Sequence, residues 1–194
     1  MKKLILGIET SCDETGLALV EAHSTDSTGS LRATSGQASG GLKSPRFKVL
    51  KNLVASQVKI HEPFGGVVPN LAKREHLKNL PILFEKLLKP KTHHLKPDLI
   101  AVTVGPGLEP ALWTGITFAK ELGKNVRSKK LDVKIVGTNH LEGHLYSFLL
   151  PQKRIKNYEL RIKNIFPAVA LIVSGGHTVL LLMKDLKTWK KLGE

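Results

Sequence analysis

Histidines four residues apart on a helix lie on one face, and Asn139-His140-Leu141-Glu142-Gly143-His144 offers such a pair. Two imidazoles so placed can share a metal ion, and imidazole suits zinc or iron. A solvent-facing or core-capping pair has the same spacing, so spacing alone leaves both readings open. Glu142 does not directly follow His140, as the glutamate of the H-E-x-x-H pattern does, and a zincin-type protease is therefore disfavoured.

Three other segments carry polar or flexible residues between apolar runs. Ser174-Gly175-Gly176 separates two such runs, where the missing Cβ atoms allow backbone N–H groups to face an anion. An ordinary tight hairpin turn favours the same residues. Asp13 and Glu14 put two carboxylates in the loop Thr10–Thr15, able to hold a cation, polarise a nucleophile or position an amine, or simply to be solvated in a turn. Cys12 beside them has no base partner identifiable in sequence, and a nucleophilic role is disfavoured. Gly105-Pro106-Gly107 lacks the lysine and hydroxyl of a P-loop and reads as a connection between a strand and a helix.

The elements that must position these residues follow from apolar periodicity. Leu4 to Glu9 and Gly16 to Glu21 read as two short strands around a polar loop, and Ala168 to Val173 with Val179 to Met183 repeat that plan. Phe47 to Val58 allows another strand. Leu77, Leu80, Phe84, Leu87 and Leu88 mark a helix that Pro81 is expected to kink. Leu99 to Val104 is a continuous apolar run suited to a strand buried on both faces. Leu112, Ile116, Ala119 and Leu122 then recur at helical spacing, Val133 to Val136 gives a strand, and a helix is expected from about Asn139 to Leu150. Between His23 and Ser44 the composition turns to Ser, Thr and Gly, as in a flexible insertion. Strands alternating with helices indicate an α/β fold.

The 194 residues, 41% hydrophobic, allow a real core. A single cysteine excludes an internal disulfide and fits a reducing cytoplasm. The apolar run after Met1-Lys2-Lys3 stops at Glu9, too short for a signal peptide, and no stretch approaches the roughly 20 residues that span a bilayer, so no membrane role is expected. A formal net charge of +14 points to a polyanionic partner, nucleic acid first, although a solvated lysine-rich surface gives the same number.

Taken in order, Glu9-Thr-Ser-Cys-Asp-Glu-Thr15, Gly65-Gly-Val-Val-Pro69, Gly105-Pro-Gly-Leu108, Asn139-His-Leu-Glu-Gly-His144 and Val173-Ser-Gly-Gly-His-Thr178 resemble the TsaD family, the tRNA threonylcarbamoyladenosine transferases once described as glycoproteases. The resemblance implies a fold like that of actin, the sugar kinases and the heat-shock ATPases, which is ribonuclease H-like. A first lobe is expected over 1–137, with the insertion 23–44 longer than the family pattern. The metal-bearing helix and the start of an incomplete second lobe follow over 138–194.

By the same resemblance the activity is transfer of threonylcarbamoyl from threonylcarbamoyl-AMP to N6 of adenine 37 in tRNAs reading codons that begin with A. One divalent iron or zinc ion is implied on His140 and His144, with a third ligand supplied from the remainder of the second lobe. Contacts to the adenylate, or to ATP, are implied at Ile172, Val173, Ser174, Gly175 and Gly176. Asp13 and Glu14 are candidates for assisting the amine. Implied partners are tRNA and TsaB-like and TsaE-like proteins. The alternative within this resemblance is a noncatalytic scaffold like the TsaB paralogue, and the histidine pair, which that paralogue lacks, argues against it.

Overall fold

The computed structural model describes residues 2–23, 46–88, 96–127, 133–150, 165–174 and 177–194. The apolar alternation of the first segment forms β1 (Lys2–Glu9) and β2 (Glu14–His23), paired antiparallel with Gly7 opposite Ala18. The third strand, β3 (Arg46–Ser56), adds to β2, with a register shift at Leu19/Val20. On the other side β1 pairs in parallel with β4 (Leu99–Gly105), which pairs in parallel with β5 (Lys134–Asn139). The sheet order is thus β3-β2-β1-β4-β5. At the start of β4, Asp98 donates its N–H to Leu4 O and accepts the Leu4 N–H on its carboxylate, fixing the β1–β4 register.

Helices occupy the crossovers. A short α1 (Val58–His61) and a 3₁₀ turn (Glu62–Phe64) lead to α2 (Pro69–Leu88), and α3 (Glu109–Arg127) joins β4 to β5. Gly65 closes the 3₁₀ turn at φ 69°, a left-handed conformation that a Cβ disfavours, while its N–H reaches Glu62 O. Leu80, Leu83 and Leu87 of α2 and Ala119 of α3 pack on Leu4, Leu6, Ile8, Leu17, Leu19, Ile100 and Val102. Helix α2 runs through Pro81 without a break. Leu77, expected in its apolar stripe, is instead 54% exposed, and Leu83 takes its share of the core. Strand β4 also departs from expectation. Ile100 and Val102 are buried but Val104 is 50% exposed, at the point where the pairing of β4 with β5 shifts register between Thr103 and Gly105.

The chain then forms α4 (His140–Tyr146), a 3₁₀ turn (Ser147–Leu149), and a second sheet of β6 (Ala168–Ser174), β7 (His177–Met183) and β8 (Trp189–Gly193), antiparallel in that order. Leu145 of α4 joins Ile172, Val179, Leu181 and Met183 in a separate apolar cluster. The Ser/Thr/Gly-rich stretch lies almost wholly outside the described residues, as do Gly175 and Gly176.

Beneath the loop after β1 lies a buried polar relay. Val68 N–H donates to His61 Nδ1, so His61 Nε2–H donates to Gln57 Oε1 at 3.0 Å. The Gln57 amide and the Thr15 hydroxyl both point at His76 Nδ1, at 3.3 and 2.8 Å, leaving His76 Nε2–H to donate to the Cys12 carbonyl at 3.0 Å. Burial holds His76 below its ordinary pKa. The unfolded chain therefore takes up a proton that the folded protein resists. The His76 contribution is complete above the unfolded value of about 6.5 and declines as pH falls through the lower, folded value. Urea denaturation between about pH 7.5 and about pH 5 should show stability declining with acid. His76→Gln should flatten that profile and lower the neutral-pH plateau by about 1–3 kcal/mol, since it strands buried partners. Equal slopes in both proteins would remove His76 as the source.

Candidate functional site

The three parallel strands β1, β4 and β5 end together, and the first residues of α4 cover their C-terminal edge. Glu9 closes β1, Thr103 to Gly105 close β4, and Gly137 to Asn139 close β5. With His140, Glu142, Gly143 and Tyr146 they line a groove of about 660 Å³. Grooves outside the carboxyl ends of parallel strands are where α/β sheets bind ligands, because loops diverge there and helix N-termini converge.

Helix α4 begins sharply. The Asn139 side chain accepts the N–H groups of Leu141 (2.8 Å) and Glu142 (3.1 Å), satisfying two donors that the first turn leaves without partners. This cap fixes His140 as the first helical residue and sends His144 to the same face. Their rings meet edge to face with centroids 4.6 Å apart, and the two Nε2 atoms are 3.2 Å apart. Two imidazole nitrogens on one tetrahedral metal, each at about 2.0–2.1 Å, stand about 3.3–3.4 Å apart. The donor set and its separation therefore fit a shared first-row metal. Among the described residues, no group of three His, Cys, Asp or Glu is arranged to hold one.

The other edge of the His140 ring meets Glu9. His140 Nδ1 is 3.3 Å from Glu9 Oε2 and 3.1 Å from Ser11 Oγ. Glu9 also accepts the Ser11 N–H and the Thr103 hydroxyl. Burial opposes ionisation of Glu9, but the hydrogen bonds from Ser11 and Thr103, with His140 beside it, outweigh burial and hold the carboxyl below its ordinary pKa. A carboxylate behind a metal-facing histidine orients the ring and makes the far nitrogen a better donor. Apolar periodicity marked Glu9 only as the end of a strand. The informative signal was a charged residue closing an otherwise apolar run at a strand's C-terminal edge.

Gly105-Pro106-Gly107-Leu108, which reads in sequence as a mere connection, braces this arrangement. Leu108 N–H donates to Ser11 O at 2.8 Å, and a Cβ on Gly107 would come within 2.6 Å of that same oxygen. Thr10 is fixed from the next turn, its hydroxyl donating to Ala111 O. Asp13 and Glu14 stand apart from the groove. The Asp13 carbonyl accepts from Gln57, and Glu14 is exposed where β2 begins, opposite Ser56. Burial, then the Asp13 carboxylate, push the Cys12 thiol up, the opposite of what a nucleophilic thiolate needs. In the second sheet Ile172 is buried against Leu145 of α4, and Val173 is 71% exposed. Ser174 ends β6, opposite His177.

A five-stranded mixed sheet of order 3-2-1-4-5, with only the second strand reversed against the parallel core, is the ribonuclease H-like arrangement, and the groove lies at its carboxyl edge, where α/β sheets bind ligands. The profile of the family described as "TsaD: tRNA N6-adenosine threonylcarbamoyltransferase" matches residues 48–194, and the chain belongs to that family. A tRNA N6-adenosine threonylcarbamoyltransferase from Dictyoglomus turgidum is 42% identical over 192 residues, covering 98% of this chain and 46% of that protein. One from Fervidobacterium nodosum is 44% identical over 183 residues, covering 94% and 43%. The chain thus spans about half the length of the curated relatives it matches. Among solved structures, YeaZ from Pseudomonas aeruginosa aligns with 99% of this chain and 65% of its own, at 14% identity and a TM-score of 0.45.

Two glycines separate packing from freedom. Gly107→Ala must displace Ser11 backbone and should cost about 1–3 kcal/mol. Gly143, whose Cβ would meet nothing within 4 Å, should tolerate alanine and gain up to about 1 kcal/mol of helix stability. Urea midpoints of the two variants shifting in the same direction would contradict this packing.

Proposed function

We propose that the protein containing this chain transfers a threonylcarbamoyl group from threonylcarbamoyl-AMP to N6 of adenine 37 in tRNAs that read codons beginning with A. The observation that carries the reading is the convergence of His140 and His144 at the carboxyl edge of the sheet, in a chain of the TsaD family. The net charge of +14 suits a tRNA substrate. A cytoplasmic location and TsaB-like and TsaE-like partners belong to the same proposal, and no described helix is long and apolar enough to cross a membrane.

In this reading His140 and His144 hold one divalent iron or zinc ion through Nε2. The ion supplies a Lewis acid that polarises a carbonyl. The remaining work falls to the protein. Ile172, Val173, Ser174, Gly175 and Gly176 contact the adenylate, glycine being the residue that allows close backbone approach. Gly105 and Gly137 keep the groove walls low beside the pair, and the Tyr146 hydroxyl, donating to Leu186 O, ties α4 to the turn after β7. The reaction joins the adenine N6 to the carbamoyl carbon, expels AMP, and requires the N6 proton to leave. Asp13 and Glu14 are offered as groups that assist this amine, from a loop whose other end, at Ser11, contacts His140.

The test uses the complete gene product with its partner proteins, ATP, threonine, bicarbonate and tRNA, and nucleoside mass spectrometry should detect threonylcarbamoyladenosine. No product, where a relative completes the reaction under the same conditions, would sink the assignment. Elemental analysis should find stoichiometric iron or zinc in the purified protein and a loss of at least about tenfold in His140→Ala/His144→Ala. Equal metal in both proteins would refute ligation by the pair.

A further inference from the structure

We propose that Glu9 and Ser11 dictate the proton positions of the histidine pair, keeping the His140 proton on Nδ1 so that its Nε2 is a lone pair, which accepts the Nε2–H of His144 until a metal replaces that proton. The inference rests on the metal reading above and adds a positioning role for two residues outside the ligand set. It begins with the Nδ1 edge of His140, which faces two oxygens, Glu9 Oε2 at 3.3 Å and Ser11 Oγ at 3.1 Å. An ionised carboxylate only accepts, so a lone pair on Nδ1 would face the lone pairs of Oε2 across that distance. The Ser11 hydroxyl, at 3.1 Å, accepts from Nδ1–H and keeps its own proton for the Glu9 carboxylate, which a Ser11 side-chain hydrogen bond helps hold ionised. Glu9 Oε2 is aimed by the Thr103 hydroxyl and Oε1 by the Ser11 N–H, so the carboxylate cannot turn away without losing both.

The consequence lies on the other side of the ring. Nε2 of His140 and Nε2 of His144 are 3.2 Å apart, a hydrogen-bond separation that needs one donor and one acceptor. With His140 Nε2 assigned as acceptor, His144 must be the Nε2–H tautomer. The metal-free pair therefore holds opposite tautomers. A metal can use both nitrogens only after the His144 proton has moved to Nδ1, whereas His140 is already in the ligating form. Side-chain exposure fits this division: His140 is 26% exposed and held from behind, and His144 is exposed. His140 is the fixed ligand and His144 the one that rearranges.

Long-range ¹H–¹⁵N correlation spectra of the histidine rings in the complete, metal-free protein decide the point without any activity measurement. The expected result is protonated Nδ1 on His140 and protonated Nε2 on His144, and on adding Zn²⁺ a change to protonated Nδ1 on His144 alone. Finding the His140 proton on Nε2 without metal would overturn the proposal. Glu9→Ala should populate the Nε2–H form of His140 and weaken Zn²⁺ binding about 10–100-fold, and Glu9→Gln, which keeps an acceptor oxygen, should recover part of the loss. An unchanged His140 tautomer in a folded Glu9→Ala protein also overturns it. If the wild-type protein shows the expected metal-free tautomers but binds no Zn²⁺, the metal reading fails and the Glu9 assignment stands.

Discussion

A carboxylate that ends an apolar strand has to find donors or remain in water, and Glu9 finds them on three elements. Its oxygens accept from Ser11 in the loop that follows β1 and from Thr103 at the end of β4, and they face the His140 ring at the start of α4. Each partner is separately held. Ser11 is backed by Leu108 and Gly107, Thr103 by the parallel ladder in which it faces Thr138, and His140 by the Asn139 cap. Removal of the charge would therefore leave a loop, a strand end and a helix start each in place but no longer joined through one carboxylate. Partly burying this carboxylate is tolerable because its partners, one backbone N–H and the Thr103 and His140 side chains, sit on ordered elements, so little ordering remains to offset when the site forms.

The placement of the carboxylate depends on the topology. β1, β4 and β5 pair with one another in parallel, and their carboxyl ends share one edge. The reversed β2 carries the chain away from that edge, and the loop between β1 and β2 must turn back across it. Thr10 and Ser11 are buried there because α3 begins directly beneath, with a Cβ on Gly115 excluded by the Thr10 side chain. Small residues at 107 and 115 thus do steric work: they let the loop lie low enough for Ser11 to reach His140.

Much of the fold was legible because period-two and period-3.6 apolar patterns report burial directly. Both hairpins, α3 and the helix bearing the histidines follow from them. The errors have a common origin. Leu77 and Val104 are apolar and satisfy the periodicity, yet neither faces the core, since periodicity gives a face but not which elements cover it. The histidine pair was legible because its spacing is local. Glu9, Ser11 and Thr103 were not singled out, because the contacts Thr103–Glu9, Ser11–His140 and Glu9–His140 span 94, 129 and 131 positions of sequence and exist only once the strand order is set. The family motif contained Glu9 and Ser11, but local chemistry drew attention to the neighbouring Asp13 and Glu14, whose paired charge is conspicuous in sequence and which line no part of the groove.

Helix α4 joins these two levels. At seven residues it is too short to be stable by propensity, so its geometry is imposed by the Asn139 cap at one end and by packing at the other. Its histidine face looks onto the first sheet while Leu145 is buried with Ile172, Val179, Leu181 and Met183 of the second. A shift of the β6–β7 pair therefore acts on the helix that carries both imidazoles, and Ile172, Val173 and Ser174 close the first of its strands. The constraint runs in the other direction as well. Because Glu9 fixes the His140 end of α4, any accommodation between the two sheets falls on the His144 end, one turn along the helix, where the ring is exposed and free of the carboxylate.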